Sequence, residues 1–248
     1  MTDSAAPHDR YAEAYLADYG FERVMVAQRR RFLLELIDAG RPDIVLEVGC
    51  GLEPLFAAAP GPGRWVTVEP ARVFAERARE LAADDARVAV IEAAVEALDW
   101  PAAAPRPPDL VLLSSVLHEV DDPAGMLRAV HRLCGPRTLV HANVPNADSM
   151  HRRLAVAMGL IADTQQPSAR NLQLRQKQVF TAAEFRALFE RCGFRVEEEG
   201  GYFIKPFTHA QMDAISATIG EDVLNGLYSL GRSLPALASE LYLGAYRQ

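Results

Sequence analysis

Ile44-Val45-Leu46-Glu47-Val48-Gly49-Cys50-Gly51 constrains this chain more than any other stretch. A continuous apolar run without alternation is the pattern of a strand buried on both faces, as in a parallel sheet. Two glycines one residue apart then allow a tight turn and a close backbone approach to a ligand. Twenty residues after Gly49, the short apolar run Trp65-Val66-Thr67-Val68 ends in Glu69. A carboxylate at the end of the second strand of a βαβ unit is placed to accept hydrogen bonds from ribose hydroxyls. A nucleoside cofactor at the carboxyl ends of parallel strands is therefore expected.

The rest of the turn narrows the cofactor. A dinucleotide fingerprint needs a third glycine three residues after the second, and Pro54 stands there, preceded by Glu53. A negative charge at that place repels a pyrophosphate. The site suits a cofactor with a ribose and no phosphate. A nicotinamide oxidoreductase and a non-catalytic cofactor-binding protein stay open as rivals.

Leu46-Glu47-Val48-Gly49-Cys50-Gly51 followed by Val68-Glu69-Pro70 resembles the first two motifs of the class I S-adenosylmethionine-dependent methyltransferases. A third segment, Ser114-Ser115-Val116-Leu117-His118-Glu119-Val120-Asp121-Asp122-Pro123, resembles that of the ubiquinone-biosynthesis-like branch. The resemblance covers roughly residues 40 to 200. It implies an α/β fold: a Rossmann-like seven-stranded, mostly parallel sheet with an antiparallel last strand, an N-terminal helical cap and a lid insertion after the fifth strand. It implies S-adenosyl-L-methionine as cofactor and a small-molecule acceptor. Glu47, Gly49, Cys50, Gly51, Glu69, Pro70, Ser114 and Ser115 are the expected cofactor contacts, with the backbone of Ala93, Ala94 and Val95 near the adenine. The short stretch after Pro54 and the absence of a third glycine depart from the family pattern.

One domain over 1–248 is expected: a helical cap over 1–40, a cofactor-binding core over 41–146, a lid over 147–180, and a remainder over 181–248 with a second insertion near 207–238. The cap reads as helix from His8 to Ala39 with a break at Gly20 and Gly40 as its C′ residue. Tyr11, Tyr15 and Tyr19 share a face, and Tyr11 and Tyr15 either pack on the core or cover the cofactor. Pro54 is expected to open a short helix, and Pro70 a longer one with Val73, Phe74, Ala78 and Leu81 inward. Asp122 and Pro123 open another helix, and Thr181-Ala182-Ala183-Glu184 is a capping box.

Two histidines are candidate general bases for a hydroxyl acceptor: His118, which alternatively packs against the pocket, and His151, which alternatively faces water. His141 alternates with apolar neighbours and reads as a hydrogen-bonded core residue. Between His151 and Gln178 stand Arg152, Arg153, Arg170, Arg175 and Lys177 against the single acid Asp163, in a chain of net charge −7. A cationic concavity attracts anions, and arginine grips a carboxylate or phosphate in a bidentate manner, so these arginines are candidate ligands of an anionic acceptor.

The net negative charge argues against a general nucleic-acid binder. The polar N-terminus leads into no apolar targeting segment, no apolar run is long enough to span a bilayer, and three cysteines without C-x-x-C spacing read as reduced thiols. A cytoplasmic enzyme with no metal and no membrane or nucleic-acid partner is expected. The oligomeric state is open.

Overall fold

The computed structural model describes residues 20–167, 171–172 and 176–248. Seven strands form one sheet: β1 (Ile44–Val48), β2 (Arg64–Val68), β3 (Val88–Ile91), β4 (Leu110–Ser114), β5 (Leu139–Pro145), β6 (Phe194–Tyr202) and β7 (Glu240–Arg247). Their order is β3-β2-β1-β4-β5-β7-β6, and β7 alone runs antiparallel to its neighbours. The chain winds outward through β2 and β3, then returns to the other side of β1 with β4. That reversal opens a crevice at the carboxyl ends of β1 and β4, where open α/β sheets bind ligands.

The central strands are apolar on both faces because each face has its own core. Leu46, Val48, Val66, Val111, Leu113 and Val140 pack under α4 (Pro123–Leu133) and α6 (Ala182–Arg191). Val45, Trp65, Leu110, Leu112, Tyr202 and Tyr242 pack under α1 (Glu22–Gly40) and α7 (His209–Ser233). Arg195, Glu197, Glu198 and Glu199 are exposed on edge strand β6, where charges discourage pairing with another chain. Further helices among the described residues are α2 (Arg72–Ala82), the single turn α3 (Trp100–Ala103) and α5 (Met150–Ala157).

Local capping follows the sequence at α4 and α6. Asp122 accepts from Gly125 N, and Thr181 and Glu184 form the reciprocal pair. Three expectations are corrected. No α-helix follows the glycine turn: Pro54 leads only into a 3₁₀ turn over Leu55–Ala58, which the proline- and glycine-rich run behind it ends. Val73 and Leu81 are half exposed, since α2 buries only the Phe74-Ala75-Ala78 stripe. Gly40 is the last helical residue of α1, and the left-handed cap is Arg41 (φ 45°), whose N–H bonds Ile37 O at 2.8 Å. Most of the stretch expected as a second insertion, 207–238, is the long helix α7. Tyr11, Tyr15, Arg170 and Arg175 lie outside the described residues.

Candidate active site

A cavity of about 1120 Å³ opens at the carboxyl ends of β1, β2, β4 and β5, walled by α1 and by the segment after β5 that was expected to be a lid. Its floor is the glycine turn. Gly49 (φ 73°) and Gly51 (φ 56°) adopt the left-handed backbone that side chains disfavour. A Cβ at Gly49 would stand 2.6 Å from Val116 Cγ1, whereas one at Gly51 would meet nothing within 4 Å. The turn thus packs against the β4 side through Gly49 and leaves space above Gly51.

Glu69, at the end of β2, holds this turn from below. Its Oε2 accepts from Cys50 N (3.0 Å) and Gly51 N (3.2 Å), and its Oε1 from Ala71 N (2.9 Å). The Cys50 thiol also bonds this carboxylate. Burial pushes the Glu69 pKa up, opposed by the bond from Ala71 N and then by those from Gly51 N and Cys50 N. Burial, with the nearby charges of Glu47 and Glu69, pushes the Cys50 thiol far above its ordinary range, so it stays protonated. Pro70, Ala94, Val95, Ser114 and Ser115 line the same cavity, as do Phe74 and Glu96; Ala93 does not.

Glu47 lines the cavity too, yet its carboxylate is occupied by its own chain. It accepts from Leu55 N (2.9 Å), Trp65 Nε1 (3.0 Å) and Thr67 Oγ1 (3.2 Å), joining β1, β2 and the turn behind the glycines. Burial raises its pKa from 4.5 to about 7 against those three bonds and the charge of Arg30. The folded state therefore keeps a proton that the unfolded chain releases between about pH 4.5 and 7. Stability falls as pH rises through that window, with Glu47 contributing on the order of 3 kcal/mol. Urea unfolding of the unliganded protein at pH 5 and pH 7 measures the fall, which Glu47→Gln reduces. Equal slopes in the two proteins would remove Glu47 as its source.

The far end of the cavity gathers the histidines. His118 is buried, and a directional chain of hydrogen bonds reaches it from the lid. Arg152 Nη1 donates to Asn171 Oδ1 (3.4 Å), Asn171 Nδ2 to Gln176 Oε1 (2.6 Å), and Gln176 Nε2 to His118 Nε2 (3.1 Å). Arginine can only donate, so the chain starts from the Arg152 guanidinium and ends at His118 Nε2, while His118 Nδ1 is buried with no hydrogen-bond partner among the described residues. Glu119 Oε1 stands 3.5 Å from the same Nε2. Burial, helped by the charge of Arg29 and opposed by that of Glu22, lowers the His118 pKa to about 3. His118 is thus neutral with its lone pair engaged.

His151, on α5, lines the cavity. Its pKa lies well below the ordinary value, through burial first and then the charges of Lys205, Arg152 and His209. His141 is a core residue, stacked on Phe32 with ring centroids 5.3 Å apart. The expected hydrogen bond is missing at its buried Nε2. The ring sits against aromatic neighbours, and burial lowers its pKa to about 3.

Sequence reading puts Lys205 near the expected substrate wall without singling it out, and it does not reveal the polar chain beside His151. Lys205 Nζ lies 2.7 Å from His209 Nδ1, His209 Nε2 is 3.1 Å from Glu22 Oε2, and Arg29 Nη2 stands between Glu22 Oε1 (3.5 Å) and Glu240 Oε1 (3.0 Å). Asn143 Nδ2 donates to the other Glu240 oxygen at 2.8 Å. Lys205 is only 4% exposed, and Phe203, in the left-handed region (φ 58°), turns the chain just before it. One sequence signal for His209 exists: Thr208 and Gln211 form a capping box that sets His209 at the start of α7.

The lid arginines have other duties. Arg152 is buried and donates to Thr164 O (2.6 Å) and Gln166 O, closing the lid loop on itself. Arg153 is exposed, outside the cavity lining, and donates to Asp148 O at 2.8 Å. Among the described residues no group of three His, Cys, Asp or Glu could hold a metal ion, and no helix is long and apolar enough to cross a membrane.

A family model described as a methyltransferase domain matches residues 17–199. No curated protein matches the chain. Among solved structures, the mitomycin 7-O-methyltransferase MmcR is 18% identical with a TM-score of 0.57; 91% of this chain is covered, but the chain spans only 54% of that one. NodS, an N-methyltransferase from Bradyrhizobium japonicum WM9 solved with S-adenosylhomocysteine, is 14% identical with a TM-score of 0.57, covering 98% of this chain and 99% of that one. A possible histamine N-methyltransferase from Thermotoga maritima is 17% identical with a TM-score of 0.61, covering 97% and 100%. At these identities the likeness is one of fold.

Proposed function

The chain belongs to the class I methyltransferase family, with S-adenosylmethionine as its methyl donor, and from that premise we propose that it methylates an oxygen of a small, acidic acceptor. The observation carrying this reading is that one cavity joins the glycine turn and Glu69 to an end where His151, Lys205 and His209 converge. The cofactor supplies an activated methyl group on a sulfonium. The residues suit it: the space above Gly51 admits a nucleoside, and Glu69, at the end of β2, lies beside its ribose. Glu47, Gly49, Cys50, Pro70, Ser114 and Ser115 complete that wall, and Ala94 and Val95 border the adenine, with Ala93 behind them.

His151 takes the acceptor's proton. A neutral imidazole of low basicity is matched to an acidic hydroxyl, such as a phenol, an enol or a carboxylic acid, rather than to an alcohol. Lys205 then faces the oxygen anion that results. Arg152 serves the acceptor by keeping the lid closed, and Arg153, Arg170 and Arg175 add to the field that draws an anion to the lid. The three unpaired cysteines suit a cytoplasmic setting.

A second reading, transfer to an amine, draws on the cavity wall as a whole, where carboxylates outnumber cationic side chains. The test is methyl transfer from tritiated S-adenosylmethionine to phenols and carboxylic acids paired with the matching amines. Label recovered on oxygen supports the first reading; label on the amines alone overturns it in favour of the second.

A further inference from the structure

The helix that carries His151 is held in an uncommon way. A surface helix usually docks through an apolar stripe, but the one buried residue of α5 is the charged Arg152. Met150 and Leu154, which could have formed such a stripe, are 39% and 38% exposed. The His151 ring has little to orient it either. Its Nδ1 is buried with no hydrogen-bond partner among the described residues, where a base of the serine-protease type is aligned by a carboxylate at that nitrogen. The direction of the ring therefore depends on where α5 sits, and α5 sits where Arg152 is held.

Arg152 donates to Thr164 O, Gln166 O and Asn171 Oδ1, all within the segment after β5. These bonds knit that segment together without tying it to the sheet. On its exposed side Gln165 reaches Glu184 of α6. On the cavity side the tie is His118. Asn171 Nδ2 donates to Gln176 Oε1, and Gln176 Nε2 meets His118 Nε2 at 3.1 Å. The N–H groups of Lys177 and Gln178 donate to His118 O at 2.9 and 3.3 Å. Lys177 Nζ pairs with Asp121 Oδ1, three residues beyond His118, at 2.9 Å. His118, buried in the turn after β4, thus receives the segment through both its ring and its carbonyl.

We propose that His118 is a positioning residue: through Gln176 and Asn171 it anchors Arg152, and Arg152 sets α5 so that the His151 imidazole faces the acceptor. This rests on the reading of His151 as the base. A side-chain chain of this kind orders its members only while each link is bonded, so cutting it at either end of Gln176 frees α5. A displacement of about 1 Å at a base is enough to slow the reaction it serves. The anchor also accounts for a histidine that is buried at the cavity and is not the base.

The test is an NMR titration of His151 in the full chain, its signal assigned with His151→Gln, and amide hydrogen exchange alongside. In wild type the His151 midpoint lies well below 6.5, held there by burial and by Lys205, Arg152 and His209. Gln176→Leu removes two links at similar volume, and His118→Phe removes the ring nitrogens. In both, the midpoint rises toward 6.5 as α5 loosens and water reaches the ring. Exchange over residues 150–157 speeds up about tenfold or more, while S-adenosylhomocysteine binds within about twofold of wild type. His118→Gln, whose amide reaches the place of Nε2, restores the low midpoint. On the phenol or carboxylic acid that takes label, both broken-chain variants lose kcat, by less than His151→Ala does, and the loss vanishes when His151 is already alanine. An unchanged midpoint in folded Gln176→Leu overturns the anchor, as does an equal rise in His118→Gln or a wild-type midpoint near 6.5. Turnover retained in His151→Ala with the midpoint shift intact overturns the base reading and not the anchor.

Discussion

Glu69→Ala lowers the affinity for S-adenosylhomocysteine at least about tenfold and destabilises the unliganded protein as well. The first effect is the loss of a charge-assisted hydrogen bond to the ribose, about 1.5–3 kcal/mol. The second follows from what the carboxylate already does. It accepts from the amides of Cys50, Gly51 and Ala71, tying the end of β2 to a turn eighteen residues earlier. Truncation leaves those N–H groups without their acceptor, and water entering from the cavity replaces it only in part, so about 1–3 kcal/mol of stability is lost. Calorimetry with S-adenosylhomocysteine and urea unfolding read the two effects separately. Unchanged affinity in a folded variant would remove Glu69 from the cofactor site.

His151→Ala lowers turnover by roughly 10²–10⁴ with S-adenosylhomocysteine binding retained, as expected for loss of a general base. His118→Ala has a far smaller effect on kcat, because the His118 lone pair is already engaged by Gln176. The pH profile is a second signature. Burial and the neighbouring cations hold the His151 pKa well below 6.5. A base acts above its pKa, so kcat/KM stays level as pH falls through 6.5, and its acid limb lies lower. Wild-type kinetics on the acceptor identified by label transfer, repeated with both variants, provide the check. An acid limb centred at 6–7, or equal losses in the two variants, would count against His151.

The glycine-turn end of the cavity was legible in the sequence because its chemistry is local. A strand buried on both faces must be apolar throughout, a tight turn under a ligand needs glycines, and a carboxylate at a strand end has a fixed place relative to that turn. Gly49, Gly51 and Glu69 lie within 21 consecutive residues, and the cavity carries all three. The helix starts at Asp122 and Thr181 were readable for the same reason, since a cap bonds a backbone N–H three residues away. Even here, side chains found partners that spacing does not reveal. Glu47, expected to face the cofactor, lines the cavity, and its carboxylate is bonded to Trp65, Thr67 and Leu55.

The polar end of the cavity, around His151 and Lys205, was decided by tertiary structure. Glu22 and Arg29 come from α1, His151 from α5, Lys205 from the chain after β6, His209 from the start of α7 and Glu240 from β7. No sequence period links positions up to 218 residues apart. They meet because β7 inserts antiparallel between β5 and β6, bringing the end of β6 and the start of β7 beside the end of β5. The lid arginines make the same point in reverse. Composition marked a run of positive charge, but the nearest acceptors after folding are the carbonyls of the lid itself, and Arg152 and Arg153 bond to those. Sequence alone determined the fold and the cofactor, which depend on patterns within single βα units. Which polar side chains gather at the far end of the cavity was decided only when seven strands and three separate helices closed on one crevice, because a side chain's partner is set by distance in space and not along the chain.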